Sequence, residues 1–369
     1  MKAVALAVAG RAKSLVPGQY KSLVRDGLAF GLAKLGATTP GRFARAALTV
    51  VTFHRVLPAD QLARYPMPGL AVTPDQLEAI VERLLADFRC LSLIDAFRSF
   101  RSGEEGTRPL LAITFDDGAL DNFEHAAPVI ERLGAVASFY IPVCSVEERD
   151  PPWHDRLGFS LLAAIEGVRA GREDELAPLL APFLLNADGL RRSAPSASTL
   201  HSQAGVEASK RLSPEARASA LNALEAALGG NQVPAWAGLM TWSQVRELAL
   251  RGHEVGSHSL THPLLPDCSS GKIEAEIAKS RERLRHHTGV EVASFCYPNG
   301  SYDQRCLDAV QAAGYECSVT TRWGLNRRDT PPHELRRCDM DFSRLTSRTG
   351  AFSSDRLLMR LSGMQPGLR

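Results

Sequence analysis

No Cys-x-x-Cys pair occurs in this chain. Its seven cysteines, Cys90, Cys144, Cys268, Cys296, Cys306, Cys317 and Cys338, are scattered and odd in number. That pattern argues against a thiolate metal site and against a disulfide framework, so reduced thiols and a cytoplasmic location are expected. An excess of one charge is also missing: 43 Lys and Arg face 41 Asp and Glu, a formal net charge of +2. Without a basic run interleaved with aromatics, there is no electrostatic case for a nucleic-acid partner. The apolar stretch in residues 1–9 is cut off early by Arg11 and Lys13. It is too short to cross a bilayer and lacks a signal-peptide layout. Residues 14–46 mix Lys and Arg with Leu, Phe and Ala. They are predicted to form an amphipathic helix that leans on the protein itself, with peripheral membrane contact as the alternative.

What is present is enough for a large core. Hydrophobic residues make up 44% of 369 residues, which suits one large domain carrying an insert, or two domains. Strand-like runs fall near residues 48–54, 110–115, 136–142, 253–258, 292–297 and 317–320. Helical patterns fall between them, near 128–133, 272–286 and 304–313. Thr73-Pro74-Asp75-Gln76 is a capping box with proline at the first helical position, followed by the apolar stripe Leu77, Ile80, Val81, Leu84 and Leu85. Thr241-Trp242-Ser243-Gln244 repeats the capping logic before Val245, Leu248 and Ala249. Alternating strands and helices imply a parallel sheet. Residues 151–238 break the rhythm: rich in Ala and Leu, they hold no strand-like run. A helix is predicted from Ser213-Pro214-Glu215 to about residue 228, ended by Gly229-Gly230. Residues 193–209, small and polar, are predicted to be a loop.

Two short words carry the chemistry. Thr114-Phe115-Asp116-Asp117-Gly118 closes the apolar run Leu110-Leu111-Ala112-Ile113. Such a run suits a strand buried on both faces of a parallel sheet, and its C-terminal end is where α/β folds gather their reactive groups. Neighbouring side chains on a strand point to opposite faces, so both carboxylates reach one cavity only if the chain turns after Asp117, where Gly118 loosens it. Taken alone, Asp-Gly is also an ordinary solvated turn. The second word, His258-Ser259-Leu260-Thr261-His262, follows the strand-like His253-Glu254-Val255-Gly256-Ser257 and is stopped by Pro263. Histidines four apart can face one ion when the segment is turn-like. One carboxylate and two imidazoles would leave a divalent ion an open position, the mark of a catalytic rather than a structural site.

These words match, letter for letter, the first two motifs of the polysaccharide deacetylase family, the carbohydrate esterases with a NodB-type domain. Phe295-Cys296-Tyr297-Pro298-Asn299-Gly300 resembles its third motif. The resemblance runs from about residue 50 to about 345. It implies a distorted (β/α)7 barrel interrupted by a helical insert. The expected division is an N-terminal helical segment (1–46), the first part of the barrel (47–150), the insert (151–238), the second part of the barrel (239–345) and a C-terminal tail (346–369). It also implies a metal-dependent hydrolase acting on an N-acetylated polysaccharide or a lipid-linked sugar. Asp117, His258 and His262 would bind one divalent metal, zinc above cobalt, nickel or manganese. Asp116 would be the general base, and Asn299 through its backbone N–H, with Tyr297 and Trp323, would contact substrate or oxyanion.

The departures are as informative. Where the family pattern has an arginine that orients the base, this chain has Cys296; Arg337 and Arg322 are the candidate replacements. The late leucine-x-histidine motif falls at Leu335-Arg336-Arg337, without a histidine. His54, ending the strand-like Leu48-Thr49-Val50-Val51-Thr52-Phe53, resembles the acid histidine that a permuted order puts on the first strand in the poly-N-acetylglucosamine deacetylase branch. His54 is therefore the expected general acid; the plainer alternative is a polar strand-end cap. Trp153 is read as buried before it is read as a sugar platform. His154 lacks a partner at ligand spacing and is left outside the metal set. The alternative function is a catalytically impaired glycan-binding or scaffold protein, supported by Cys296 and the absent late histidine.

Overall fold

A computed structural model describes residues 18–103 and 106–365, so the expectation for residues 1–9 lies outside the described residues. Ten strands are described in chain order: β1 (Leu48–Phe53), β2 (Arg55–Val56), β3 (Ala71–Val72), β4 (Arg89–Leu91), β5 (Leu110–Phe115), β6 (Ser138–Ile141), β7 (Glu254–Ser257), β8 (Ser294–Cys296), β9 (Cys317–Val319) and β10 (Cys338–Asp339). Seven form a parallel curled sheet in the order β10-β1-β5-β6-β7-β8-β9, with β4 added beside the start of β5. A parallel bridge between Val319 and Leu335, just before β10, brings β9 back to the β10–β1 edge. The curled sheet with surrounding helices is the NodB-type (β/α) barrel.

Strand alternation explains the packing. Leu48, Val50, Ala112, Tyr140, Cys296 and Val319 form one buried cluster with Leu93, Ala96, Phe97 and Phe100 of the helix Leu93–Ser102. The alternate residues Val51, Phe53, Ile113, Phe115, Phe139, Val255 and Phe295 pack in a larger cluster with the surrounding helices. Both capping boxes form, at Thr73 with Gln76 and at Thr241 with Gln244. Leu77, Ile80, Val81 and Leu84 bury the face predicted from their spacing. Gly256 is required by this packing: a Cβ there would stand 2.4 Å from the Tyr140 ring.

Between β6 and β7 the chain builds a helical layer with its own buried cluster, including Leu157, Leu161, Leu176, Phe183 and Leu224. Its main helices are α1 (Trp153–Arg169), α2 (Glu173–Leu180), α3 (Ser198–Ser209) and α4 (Pro214–Ala227). The predicted loop at 193–209 is thus corrected, because its second part is helix α3. Its small residues are what let it pack: Ser202 Oγ donates to Gly158 O at 2.8 Å. A Cβ on Gly205 would come within 2.7 Å of Leu161. Small polar residues read as loop in isolation, yet here they permit a close helix–helix approach.

The ends of the described chain pack on each other. Helix α5 (Ser354–Leu361) buries six of its residues, so 346–365 is not a free tail. Its Arg356 Nε donates to Asp26 Oδ1 at 2.6 Å, on the helix Gly18–Lys34. That early helix leaves Leu23, Val24 and Phe30 exposed. Among the described residues no helix is long and apolar enough to cross a membrane.

Candidate metal centre and active site

The parallel register sets the site. Phe53 pairs with Phe115, so the next residues, His54 and Asp116, stand side by side at the C-terminal ends of β1 and β5. Asp116 N–H donates to Phe53 O at 3.1 Å, and Asn122 Nδ2 donates to His54 O at 2.8 Å. Asp117 then departs from regular strand geometry with φ of 74°, and Gly118 follows at 63°. Left-handed backbone costs a non-glycine residue roughly 1–2 kcal/mol, least for Asp and Asn. This turn brings the second carboxylate to the same end of the barrel as the first.

Asp117 meets the histidines of the second word. Its Oδ1 lies 3.3 Å from His258 Nε2 and 3.2 Å from His262 Nε2. All three side chains are buried. One ligand atom from each lies within 4.8 Å of the others. A tetrahedral ion with ligands at about 2.1 Å spaces them about 3.4 Å apart, so the set fits a zinc-type ion. His258 Nδ1 lies 2.7 Å from the Cys296 carbonyl, which can accept its proton and leave Nε2 free as a ligand. A second grouping, Asp116, His258 and Cys296, also lies within 4.8 Å. It is a poor cation site, because the Arg337 guanidinium already sits on both Asp116 and the Cys296 sulfur.

The titration behaviour follows the contacts. Burial pushes the Asp117 carboxyl up, but His154, His258 and His262 outweigh it and hold the group well below the usual carboxylate range. Burial drives His262 down to about 4, whereas at His258 the same penalty is outweighed by Cys296, Asp117 and Asp116, which hold it well above an ordinary imidazole.

Asp116 has different company. Arg337 Nη1 and Nη2 donate to its two oxygens at 2.7 Å each, a bidentate buried pair. The guanidinium is itself held: Nε donates to Thr320 O, and Nη1 to Thr52 and Thr114 hydroxyls. Burial raises the Asp116 pKa, but Arg337 more than offsets it, so the carboxyl sits below its ordinary value. His54 Nε2 lies 3.8 Å from Asp116 Oδ2, with 22% of its side chain exposed.

Of the two candidate arginines, then, Arg337 reaches the carboxylate, while Arg322 is an exposed partner of Glu334. Asn299 sits at the rim with φ of 55°. No intramolecular acceptor is recorded for its backbone N–H among the described residues. Tyr297 and Trp323 are corrected. The Tyr297 ring is fully buried beside Phe295 and Tyr302, and its hydroxyl donates to His333 O at 3.2 Å. Trp323 packs on the outer core against Gly363, where a Cβ would lie 3.2 Å from its ring. Tyr297 follows β8 and turns into the core, while Trp323, four residues past the end of β9, lies half-buried against the outer cluster. His154 was missed: its Nε2 lies 3.5 Å from Asp117 Oδ2. No spacing rule could find it, since it comes from the inserted layer and meets the motifs only in the fold.

With this geometry in hand, comparison with known proteins is direct. Residues 217–318 match the family model of polysaccharide deacetylases. The Bacillus subtilis (strain 168) protein YxkH, provisionally named a polysaccharide deacetylase, is 27% identical over 113 residues, 31% of this chain and 40% of its own length. The chitooligosaccharide deacetylase of Azorhizobium caulinodans is 29% identical over 85 residues, 23% of this chain and 39% of its own. The matches thus span about two fifths of these curated relatives. The deacetylase PplD of Streptococcus pyogenes, solved with acetate, shares the fold with a TM-score of 0.53 at 15% identity, covering 82% of this chain and 96% of that one. The fold is that of a NodB-type barrel, and residues 217–318, which include the second motif word, are similar to polysaccharide deacetylases.

Proposed function

We propose that this chain is a metal-dependent deacetylase that hydrolyses N-acetyl groups on a polysaccharide or lipid-linked sugar. The carrying observation is the pairing of two differently equipped carboxylates: Asp117 grouped with His258 and His262, and Asp116 locked by Arg337 beside them. The relatives named for glycan deacetylation support the substrate class. Asp117, His258 and His262 would hold the ion, with zinc favoured by their nitrogen and carboxylate donors. When bound, such an ion supplies Lewis acidity, lowering the pKa of coordinated water from about 15.7 to about 7 and polarising a carbonyl.

The protein's own groups do the rest. Asp116 is ionised at neutral pH and oriented by two hydrogen bonds, so it serves as the base that takes the proton of the attacking water. His54, beside Asp116 and partly open to the cleft, returns a proton to the leaving amine nitrogen. The Asn299 N–H is available to the developing oxyanion. The non-catalytic alternative rested on a missing arginine and a missing late histidine; the Arg337 contacts to both Asp116 oxygens and the position of His54, 3.8 Å from Asp116, support the catalytic reading instead. The exposed Leu23, Val24 and Phe30 on the early helix support peripheral contact with a membrane carrying a lipid-linked substrate. Acetate release from N-acetylglucosamine oligomers tests the reading. Release that stops with chelator and returns with zinc is expected; chelator-insensitive release, or none with a metal-loaded protein across defined N-acetylated sugars, contradicts it.

A further inference from the structure

The helical layer between β6 and β7 enters the site at its first turn. Helix α1 starts with Trp153-His154-Asp155, and the last two of these residues have distinct tasks. Asp155 is buried and ties the layer to the barrel: its Oδ2 accepts from Arg55 Nη1 at 2.6 Å and its Oδ1 from the Tyr65 hydroxyl at 2.9 Å. Arg55 in turn donates through Nε to Asp121 Oδ2 at 2.7 Å, and Asp121 Oδ1 accepts the Val56 N–H at 2.7 Å. Arg55, Asp121 and Asp155 are each no more than 2% exposed, so this clamp is a fixed joint rather than a surface ion pair. It immediately follows His54 on the barrel and His154 on the layer.

With Asp155 fixed, His154 points its Nε2 at Asp117 Oδ2, 3.5 Å away, and its ring lies 5.2 Å from that of His262. Asp117 thereby divides its oxygens: Oδ1 faces His258 and His262, and Oδ2 faces His154. A ligating carboxylate whose outer oxygen is unheld can swing; a donor on that oxygen fixes its direction. The layer also reaches the rim at a second place, where Lys210 Nζ donates to Asn299 Oδ1 at 2.8 Å.

We propose that the inserted layer is a working part of the metal centre. His154 is a positioning residue that donates its Nε2–H to Asp117 Oδ2 and keeps Oδ1 turned toward the ion, while the Arg55–Asp155 clamp holds His154 in place. This inference rests on the reading above that Asp117, His258 and His262 bind the ion.

The test uses the full chain and cobalt(II) as probe, comparing wild type, His154→Ala and His154→Gln by competition with a chromophoric chelator. His154→Ala should lose about 10–100-fold in cobalt affinity. His154→Gln should recover most of it, because its amide nitrogen is as many bonds from Cα as the imidazole Nε2. The melting temperature without metal should stay that of wild type, and the shape of the cobalt absorption bands should not change. Equal cobalt affinity in wild type and His154→Ala would overturn the proposal. So would a changed band intensity in His154→Ala, which marks His154 as a direct ligand, or an affinity loss that His154→Gln does not repair. Failure of wild type itself to bind cobalt would strike the underlying site assignment instead.

Discussion

Asp116 and Asp117 are neighbours in sequence and strangers in surroundings. Asp116 lies against a guanidinium held by three further oxygens, in a pocket built wholly from barrel strands and their ends. Asp117 lies among three imidazoles, two from the loop after β7 and one from the helical layer. Both carboxyls are buried and both are held below their ordinary pKa, but by opposite devices. A fixed positive charge satisfies Asp116 without a metal. Imidazoles are uncharged ligands once deprotonated, so they satisfy Asp117 best when a metal replaces their shared protons. On the proposed reading, the same residue type serves as base or as ligand according to which partner the fold brings to it.

Breaking the two sides separately should have graded effects. The largest is expected from Asp117→Ala, which removes the carboxylate that faces both histidines; acetate release should fall to background at any added zinc concentration. Asp116→Asn should follow: roughly 10²–10⁴-fold less turnover, the span of general acid–base catalysis. Its metal content should equal wild type, as read by elemental analysis. Comparable metal loss in both variants would erase the distinction drawn between them. His54→Ala comes next, with a fall in kcat within the same range, unchanged metal content and a lost basic limb in the pH profile. Normal turnover would return His54 to a strand-end cap.

A subtler outcome is expected from Arg337→Met. Burial raises the Asp116 pKa and Arg337 is the strongest of the groups that lower it, so without Arg337 only His54 and His258 oppose burial and the pKa rises. The acid limb of kcat/KM should therefore move to higher pH. In wild type, the lowered Asp116 pKa adds stability that is present above the unfolded carboxyl pKa and is lost as pH falls through the folded one. Removing one partner of such a buried pair costs about 3–5 kcal/mol, measurable by denaturant unfolding near neutral pH. An unmoved acid limb would mean that Asp116 is not the titrating base.

Much of this was legible before the fold was known, and for physical reasons. The run Leu110–Phe115 is apolar on both faces because β5 is flanked by the sheet and packed on both sides, and its bounds match the strand. Capping boxes are local, so Thr73 and Thr241 announced their helices. The two ligand words sit at strand ends, which parallel topology gathers at one rim. The rest depended on contacts that periodicity cannot carry. Arg337 reaches Asp116 across 221 residues because β10, only two residues long, pairs with β1. His154 has no neighbour at ligand spacing and arrives on the helical layer. Tyr297 and Trp323 have the chemistry of substrate contacts, but Tyr297 is buried in the core and Trp323 packs on the outer cluster. Helix α3 was hidden by the small residues that let it pack.

Metal stoichiometry tests the central claim most directly. After zinc reconstitution and removal of excess, wild type and Asp116→Asn should each retain about one equivalent per chain, and Asp117→Ala, His258→Ala and His262→Ala close to none. Full retention by the Asp117→Ala or histidine variants, or an empty wild type, would contradict the assignment of one carboxylate as ligand and its neighbour as base.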